Sequence, residues 1–451
     1  MITPSSASSP SPGPTAVGIP DTASAVGDDA EALARATWSR LAEPADAHAC
    51  ALVGRLGATA ALDWLVHEAL DADGAPRPAP RPPLRPRGDA ARASSDWATA
   101  AGRWAPRLQG LDIRRELEVL ERLGGSLLIP TDPWWPTGLN DLERPPHCLW
   151  VRGDPALLAA RSSAESGGSE TDLAAPRMRE DLVPAGPGAG YGLALVGARA
   201  STDYGEHVTF DLASGLAAKG VVVISGGAFG IDAAAHRGAL RAGATVSVSA
   251  GGVDRLYPAG NTDVLEEVIA NGALVAEVPP GCQPGRHRFL TRNRLIAAMS
   301  EATVVVEAAW RSGALSTAHH ALELGRAVGA VPGPVTSMAS VGCHRLLRQG
   351  AVCVTDADEA LELVTPLGAT DPDGAKAADP ANAVSGLLDG LDGPTAAVLD
   401  ALPARADAGV ESIARAAGLS EREAIAALGV LELAGRVERR GTAWRRARKR
   451  S

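Results

Sequence analysis

The chain has 451 residues, 45% of them hydrophobic and only 3% aromatic, and carries a formal charge of −10. That length exceeds one ordinary core and allows two or three domains, while the aliphatic bias favours an α/β protein over an aromatic-rich β-sandwich. The acidic balance excludes a protein that coats DNA through its general charge, but it permits a local basic patch.

Residues 1–27 are rich in Ser, Pro and Ala and have neither the basic nor the apolar part of a signal peptide, so a disordered lead-in is expected. An Ala/Leu-rich helical stretch follows over 29–70, broken by a Pro-rich linker at 75–83. A helix near 114–123 and a short strand at 126–129 come next, then Asp132-Pro133-Trp134-Trp135-Pro136 and Pro145-Pro146-His147-Cys148. A loose insertion spans 161–190.

From 193 to 364 short β-branched runs alternate with helical stretches: 193–196, 221–224, 244–248, 273–278, 302–307, 327–331 and 351–354. Near-continuous apolar strands separated by crossover helices predict an extended Rossmann-like parallel sheet covered on both faces. After a Pro/Asp/Gly linker, helices at 395–402, 410–417 and 420–434 and a hairpin at 436–446 predict a winged-helix domain. Its third helix carries Glu421, Glu423 and Glu432 against Arg422, which suits a major groove poorly. The hairpin and tail are basic (Arg445, Arg446, Arg448, Lys449, Arg450), so partner binding and weak DNA contact both stay open.

Basic residues are almost all Arg, with Lys only at Lys219, Lys376 and Lys449; with the Ala, Gly and Pro bias this is the mark of a GC-rich genome, not of nucleic-acid binding. Five scattered cysteines (Cys50, Cys148, Cys282, Cys343, Cys353) form no C-x-x-C pair, pointing to a reduced, cytoplasmic protein. No apolar run approaches a membrane span, and no membrane association is expected.

Ligands of such sheets bind beyond the carboxyl ends of the strands. Two ends there carry glycine turns, Ser225-Gly226-Gly227 and Ser312-Gly313, whose backbone N–H groups suit an anion; tight strand-to-helix turns alone also explain them. The sharper signal is Arg286, Arg288, Arg292 and Arg294 within nine residues around Phe289, with no acidic residue among them. Guanidinium groups bind phosphates bidentately, and basic residues interleaved with an aromatic describe a single-strand surface. No G-x-S-x-G elbow, P-loop, G-x-G-x-x-G or metal spacing stands out, so no catalytic residue, metal or cofactor is expected and a binding protein, not an enzyme, is the reading. His236 is read as a buried or capping histidine, and His319 with His320 as helical.

In order, the chain carries Val196-Gly197-Ala198-Arg199, Ser201, Tyr204-Gly205, Ser225-Gly226, Ala228, Gly230-Ile231-Asp232, Ala235-His236, Tyr257-Pro258, Phe289, Arg292-Asn293-Arg294, Glu307, Ser312-Gly313, Thr317-Ala318 and Pro332-Gly333. This pattern resembles the DNA-processing protein A (DprA/Smf) family, strongly over 193–364 and more loosely from 116 to 153. The resemblance implies single-stranded DNA binding, protection of incoming DNA and help in loading the RecA recombinase in natural transformation, by a homodimer formed through the Rossmann-like domain. Its DNA site would comprise Gly197, Arg199, Ser225, Gly226, Gly227, Phe289, Arg292, Asn293, Arg294, Ser312, Gly313 and Thr317. The pattern departs at Phe229, where many members carry a basic residue.

The expected organisation is a lead-in at 1–27, a helical (SAM/helix-hairpin-helix-like) region with its Pro-rich linker at 28–113, and the Rossmann-like domain at 114–365. A linker at 366–384 and a winged-helix domain at 385–451 complete it. A rival from another class is an enzyme resembling the Lonely-guy phosphoribohydrolases. There Ser312 to Thr317 and Glu323 would stand for a Gly-rich turn and a catalytic Glu, although that family's P-G-G-x-G-T is not reproduced.

Overall fold

The computed structural model describes residues 28–78, 80, 82, 90–159, 189–365, 393–402, 407–433, 436–441 and 443–446. The expected lead-in at 1–27, the linker at 366–384, nearly all of the 161–190 insertion and the tail residues Arg448, Lys449 and Arg450 lie outside them. The chain divides into two compact units at Thr365.

The first unit opens with helices α1 (Asp28–Leu41), α2 (Ala47–Leu56), α3 (Ala58–Trp64), α4 (Ala90–Leu108) and α5 (Ile113–Arg122). Their apolar faces close on Trp38, which meets Trp104 edge-on at 5.1 Å and donates its indole N–H to the Ala58 carbonyl. The opposite face of α1, through Leu33 and Ala36, packs with Ile113 and Leu120 against strands β1 (Gly125–Leu128) and β2 (Leu149–Gly153). One helix thus belongs to two cores, and the helical segment is anchored to the sheet.

The sheet continues through β3 (Gly192–Val196), α6 (Asp203–Ala218), β4 (Val222–Ser225), α7 (Ile231–Leu240), β5 (Thr245–Ser249), α8 (Thr262–Asn271) and β6 (Ala273–Ala276). It goes on with α9 (Arg286–Ala298), β7 (Ala302–Val305), α10 (Ala314–Glu323), β8 (Ala327–Ala330), α11 (Val341–Arg348), β9 (Val352–Cys353) and α12 (Ala357–Glu362). Strand alternation distributes the apolar side chains to two layers. Leu193, Leu195, Val223 and Val304 meet α6, α7 and α12, whereas Ala194, Val196, Ile224 and Val305 meet α9, α10 and α11.

Among the described residues nine strands form one sheet in the order β1-β2-β6-β5-β4-β3-β7-β8-β9. The seven from β3 to β9 are parallel as expected, but the sheet is mixed, because β2 pairs antiparallel with both β1 and β6. The chain builds outward from β3 to β6 and then returns to place β7 on the other side of β3. The crevice beyond β3 and β7 is therefore the topological switch point, where open α/β sheets bind ligands.

The second unit contains α13 (Gly393–Ala401), β10 (Ala408–Gly409), α14 (Val410–Ala417), α15 (Glu421–Leu433), β11 (Val437–Arg440) and β12 (Ala443–Arg446), with sheet order β10-β12-β11. Three helices, a short strand and a hairpin around Val398, Ile413, Leu428 and Trp444 make the expected winged helix. Gly418, left-handed at φ 69°, ends α14, and Ser420 with Glu423 forms a reciprocal capping box on α15.

Within the first unit, Glu43 joins the front helices to α9. Its carboxylate accepts from Arg107 at 2.7 Å, from Arg288 at 3.0 and 3.1 Å, and lies 3.4 Å from the His287 ring. Partial burial alone would raise this carboxyl, but the hydrogen bonds and charge of Arg288, with His287 and Arg107, hold it down at about 2. A folded-state value below the unfolded one stabilises above the ordinary carboxylate range, and this contribution disappears as pH falls through about 2. Glu43→Gln is therefore expected to lose about 1–2 kcal/mol at neutral pH, after allowance for partial exposure, measured by urea unfolding. The gap between variant and wild type should close as pH drops from about 4.5 to 2; a gap that did not change with pH would contradict this role.

Candidate nucleic-acid interface

The loops leaving β3, β4 and β7 and one side of α9 enclose a cleft of about 420 Å³ at the switch point. Of the residues expected in a site, Gly197, Arg199, Phe289, Arg292, Asn293, Ser312, Gly313 and Thr317 all line it. Asn293 donates to the Gly313 carbonyl at 3.1 Å and so fixes the turn that starts α10. Glu307, buried at the end of β7, accepts from the Thr202 backbone N–H at 2.9 Å and from its hydroxyl, which ties the loop after β3 to the loop after β7.

Arg292 lies under the cleft, 5% exposed, and its guanidinium donates to the carbonyls of Gly226 (2.8 Å) and Val248. Burial pulls it down to about 10, with Asp232 opposing and Arg199 adding to the fall, so the group stays cationic at neutral pH. Burial likewise raises the Asp232 carboxyl, against the pull of Arg292, Arg199 and the Ala228 and Gly226 backbone N–H groups. Above this floor the exposed Arg199 stacks on the Phe289 ring at 4.7 Å, and Tyr257 approaches the same ring at 5.8 Å. Arg311 completes the rim, and among the described residues neither Arg199 nor Arg311 is ion-paired.

Four expected site residues fall elsewhere. Arg294 is two residues from Arg292 on a helix, hence roughly 200° around the axis. It is 6% exposed and engages the buried carboxylate of Glu277 at the end of β6. Arg288 is committed to Glu43, so the expected basic cluster separates into a strut to the front helices, an internal ion pair and the cleft floor. The first glycine turn does not line the cleft. Ser225 is fully buried and its hydroxyl donates to the Leu195 carbonyl, while the carbonyls of Gly226 and Gly227 receive Arg292 and Asn261. A Cβ on Gly226 would stand 2.5 Å from the Arg292 guanidinium, so glycine is needed for close approach of an arginine.

His236 is fully buried, with its Nδ1 2.9 Å from the Thr245 hydroxyl. Glu323 sits with His319 and His320 at the far end of α10 and does not line the cleft, which separates the rival's acid from the Ser312-Gly313 turn. Phe229 is exposed beside Gly260. Sequence reasoning passed over Arg311 as a site residue, although it directly precedes Ser312-Gly313 at a strand end, and over Asp232, which it quoted only within a motif.

Removing Arg294 strands a buried carboxylate, which typically costs about 3–5 kcal/mol. Arg294→Ala is expected to fall in stability by that order in urea unfolding, and Arg294→Met with Glu277→Leu to recover much of it. An unchanged midpoint together with lost affinity for an anionic ligand would return Arg294 to the site.

Residues 189–365 match the family described as DNA recombination-mediator protein A, and residues 377–441 match the DprA winged helix domain. A putative DNA processing protein DprA of Mycobacterium tuberculosis is 45% identical over 342 residues, covering 73% of this chain and 79% of that protein. The DNA processing protein DprA of Streptococcus pneumoniae is 41% identical over 171 residues, 38% of this chain and 60% of its own length. The crystal structure of the DprA from Streptococcus pneumoniae aligns at a TM-score of 0.49 with 28% identity, over 60% of this chain and 86% of that one. The chain belongs to the DNA processing protein A family.

Proposed function

We propose that this chain binds single-stranded DNA in the switch-point cleft and acts as a binding protein without catalysing a reaction. The observation that carries the reading is a pair of exposed arginines, Arg199 and Arg311, without an ion-pair partner among the described residues, on the rim of a cleft floored by the buried cation Arg292. A polyanion answers both rim charges at once above that cationic floor. Phe289, with the Arg199 guanidinium stacked on its ring, is the base-stacking position of the cleft.

Family membership supports the wider reading, in which the cytoplasmic protein, as a homodimer, protects incoming DNA and helps load the RecA recombinase during transformation. The net charge of −10 fits a ligand confined to one edge of the sheet. The winged helix adds little electrostatic attraction through α15, whose first turn carries Glu421 and Glu423.

Fluorescence anisotropy with oligo-dT tests the core of this proposal. Affinity should fall with salt by roughly 0.7 log unit per log unit of salt for each phosphate neutralised. Replacing both Arg199 and Arg311 by Ala should reduce that slope by about 1.4 and weaken binding at every salt concentration. A slope identical to wild type would remove these residues from the site, and preference for duplex over single strand would remove the single-strand reading.

A further inference from the structure

The basic edge does not stop at Arg311. Ala309 and Arg311 both line the cleft, and Trp310 between them is 56% exposed, whereas every other tryptophan in the chain is buried or half-buried. Exposure of an indole costs hydrophobic stabilisation, so this ring stands where its face is usable.

The ring is also held. The Ala308 N–H donates to the Ala339 carbonyl, and the Gly342 N–H donates to the Ala308 carbonyl, both at 2.7 Å. A Cβ on Gly342 would lie 2.6 Å from the Ala308 side chain, so glycine lets the first turn of α11 close onto the loop. Arg345, about one turn further along α11, then sets its guanidinium 5.3 Å from the centre of the Trp310 ring. Arg345 and Arg348 are exposed on successive turns, and among the described residues neither is ion-paired.

We propose that Trp310, backed by Arg345, is a second base-stacking position for a single strand leaving the cleft, with the neighbouring Arg311 and Arg345 drawing its phosphates. The inference rests on the single-strand reading of the cleft. An aromatic ring supported on one side by a guanidinium accepts any base on the other, which makes the position tolerant of sequence. A protein partner also uses exposed tryptophans. The exposed arginines at 199, 311 and 345, none of them ion-paired among the described residues, match a phosphate chain better than a folded surface.

The test uses the full chain and a series of oligo-dT strands of increasing length. Trp310→Ala should lower affinity about tenfold for strands long enough to leave the cleft and leave the shortest binders unchanged. Trp310→Phe should restore most of the loss. Strand addition should quench wild-type tryptophan fluorescence, and the part absent from Trp310→Phe reports this ring alone. Equal affinity of Trp310→Ala and wild type at every length, or identical quenching in Trp310→Phe, overturns the proposal and leaves the exposed ring to a protein partner. Arg199→Ala separates the two readings, because it should weaken binding at all lengths. Loss in Arg199→Ala with none in Trp310→Ala defeats only the second position; no loss in either defeats both.

Discussion

A helix that is buried along most of its length and carries arginines on several faces must find an answer for each charge. In α9, Arg292, Asn293 and Arg294 are all buried, and a guanidinium left unanswered in a protein interior would cost several kcal/mol. The surrounding fold is arranged around those answers. Glu277 at the end of β6 takes Arg294, Glu43 from the front helices takes Arg288, and two backbone carbonyls with the nearby Asp232 take Arg292.

Because the buried charges are held by the protein, the cleft acquires a fixed positive floor without presenting its deepest arginine as a flexible side chain. Such a preorganised charge needs little rearrangement when an anion arrives, and ligand capture falls to Arg199 and Arg311 at the rim. The arrangement also gives the front helices a function in the site. Through Glu43 they brace the start of α9, from which Phe289 and Arg292 project into the cleft.

Much of this was legible in the sequence, for identifiable reasons. Runs such as Leu193-Ala194-Leu195-Val196 are apolar at every position, and only a strand covered on both faces tolerates that. The antiparallel insertion of β2 was not legible, because its pairing with β1 and β6 is decided by tertiary context and its Leu-Trp-Val start has no alternation to read. The arginines of α9 were visible as a group, but their directions follow from helical phase, which turns Arg292 and Arg294 to different partners. Glu43, 245 positions from Arg288 in the chain, left no local signal at all. Ser225-Gly226-Gly227 taken alone reads as a tight turn and becomes an anion cradle only beside the arginine cluster, and in the structure its carbonyls receive Arg292 and Asn261.

Amide hydrogen exchange on the full chain, with and without saturating oligo-dT, tests the central claim most directly. The account predicts slowed exchange in the loops at 197–200 and 309–314, which line the cleft, with no change at 225–227. Protection confined to the winged helix at 410–446, with both cleft loops unaltered, would contradict it.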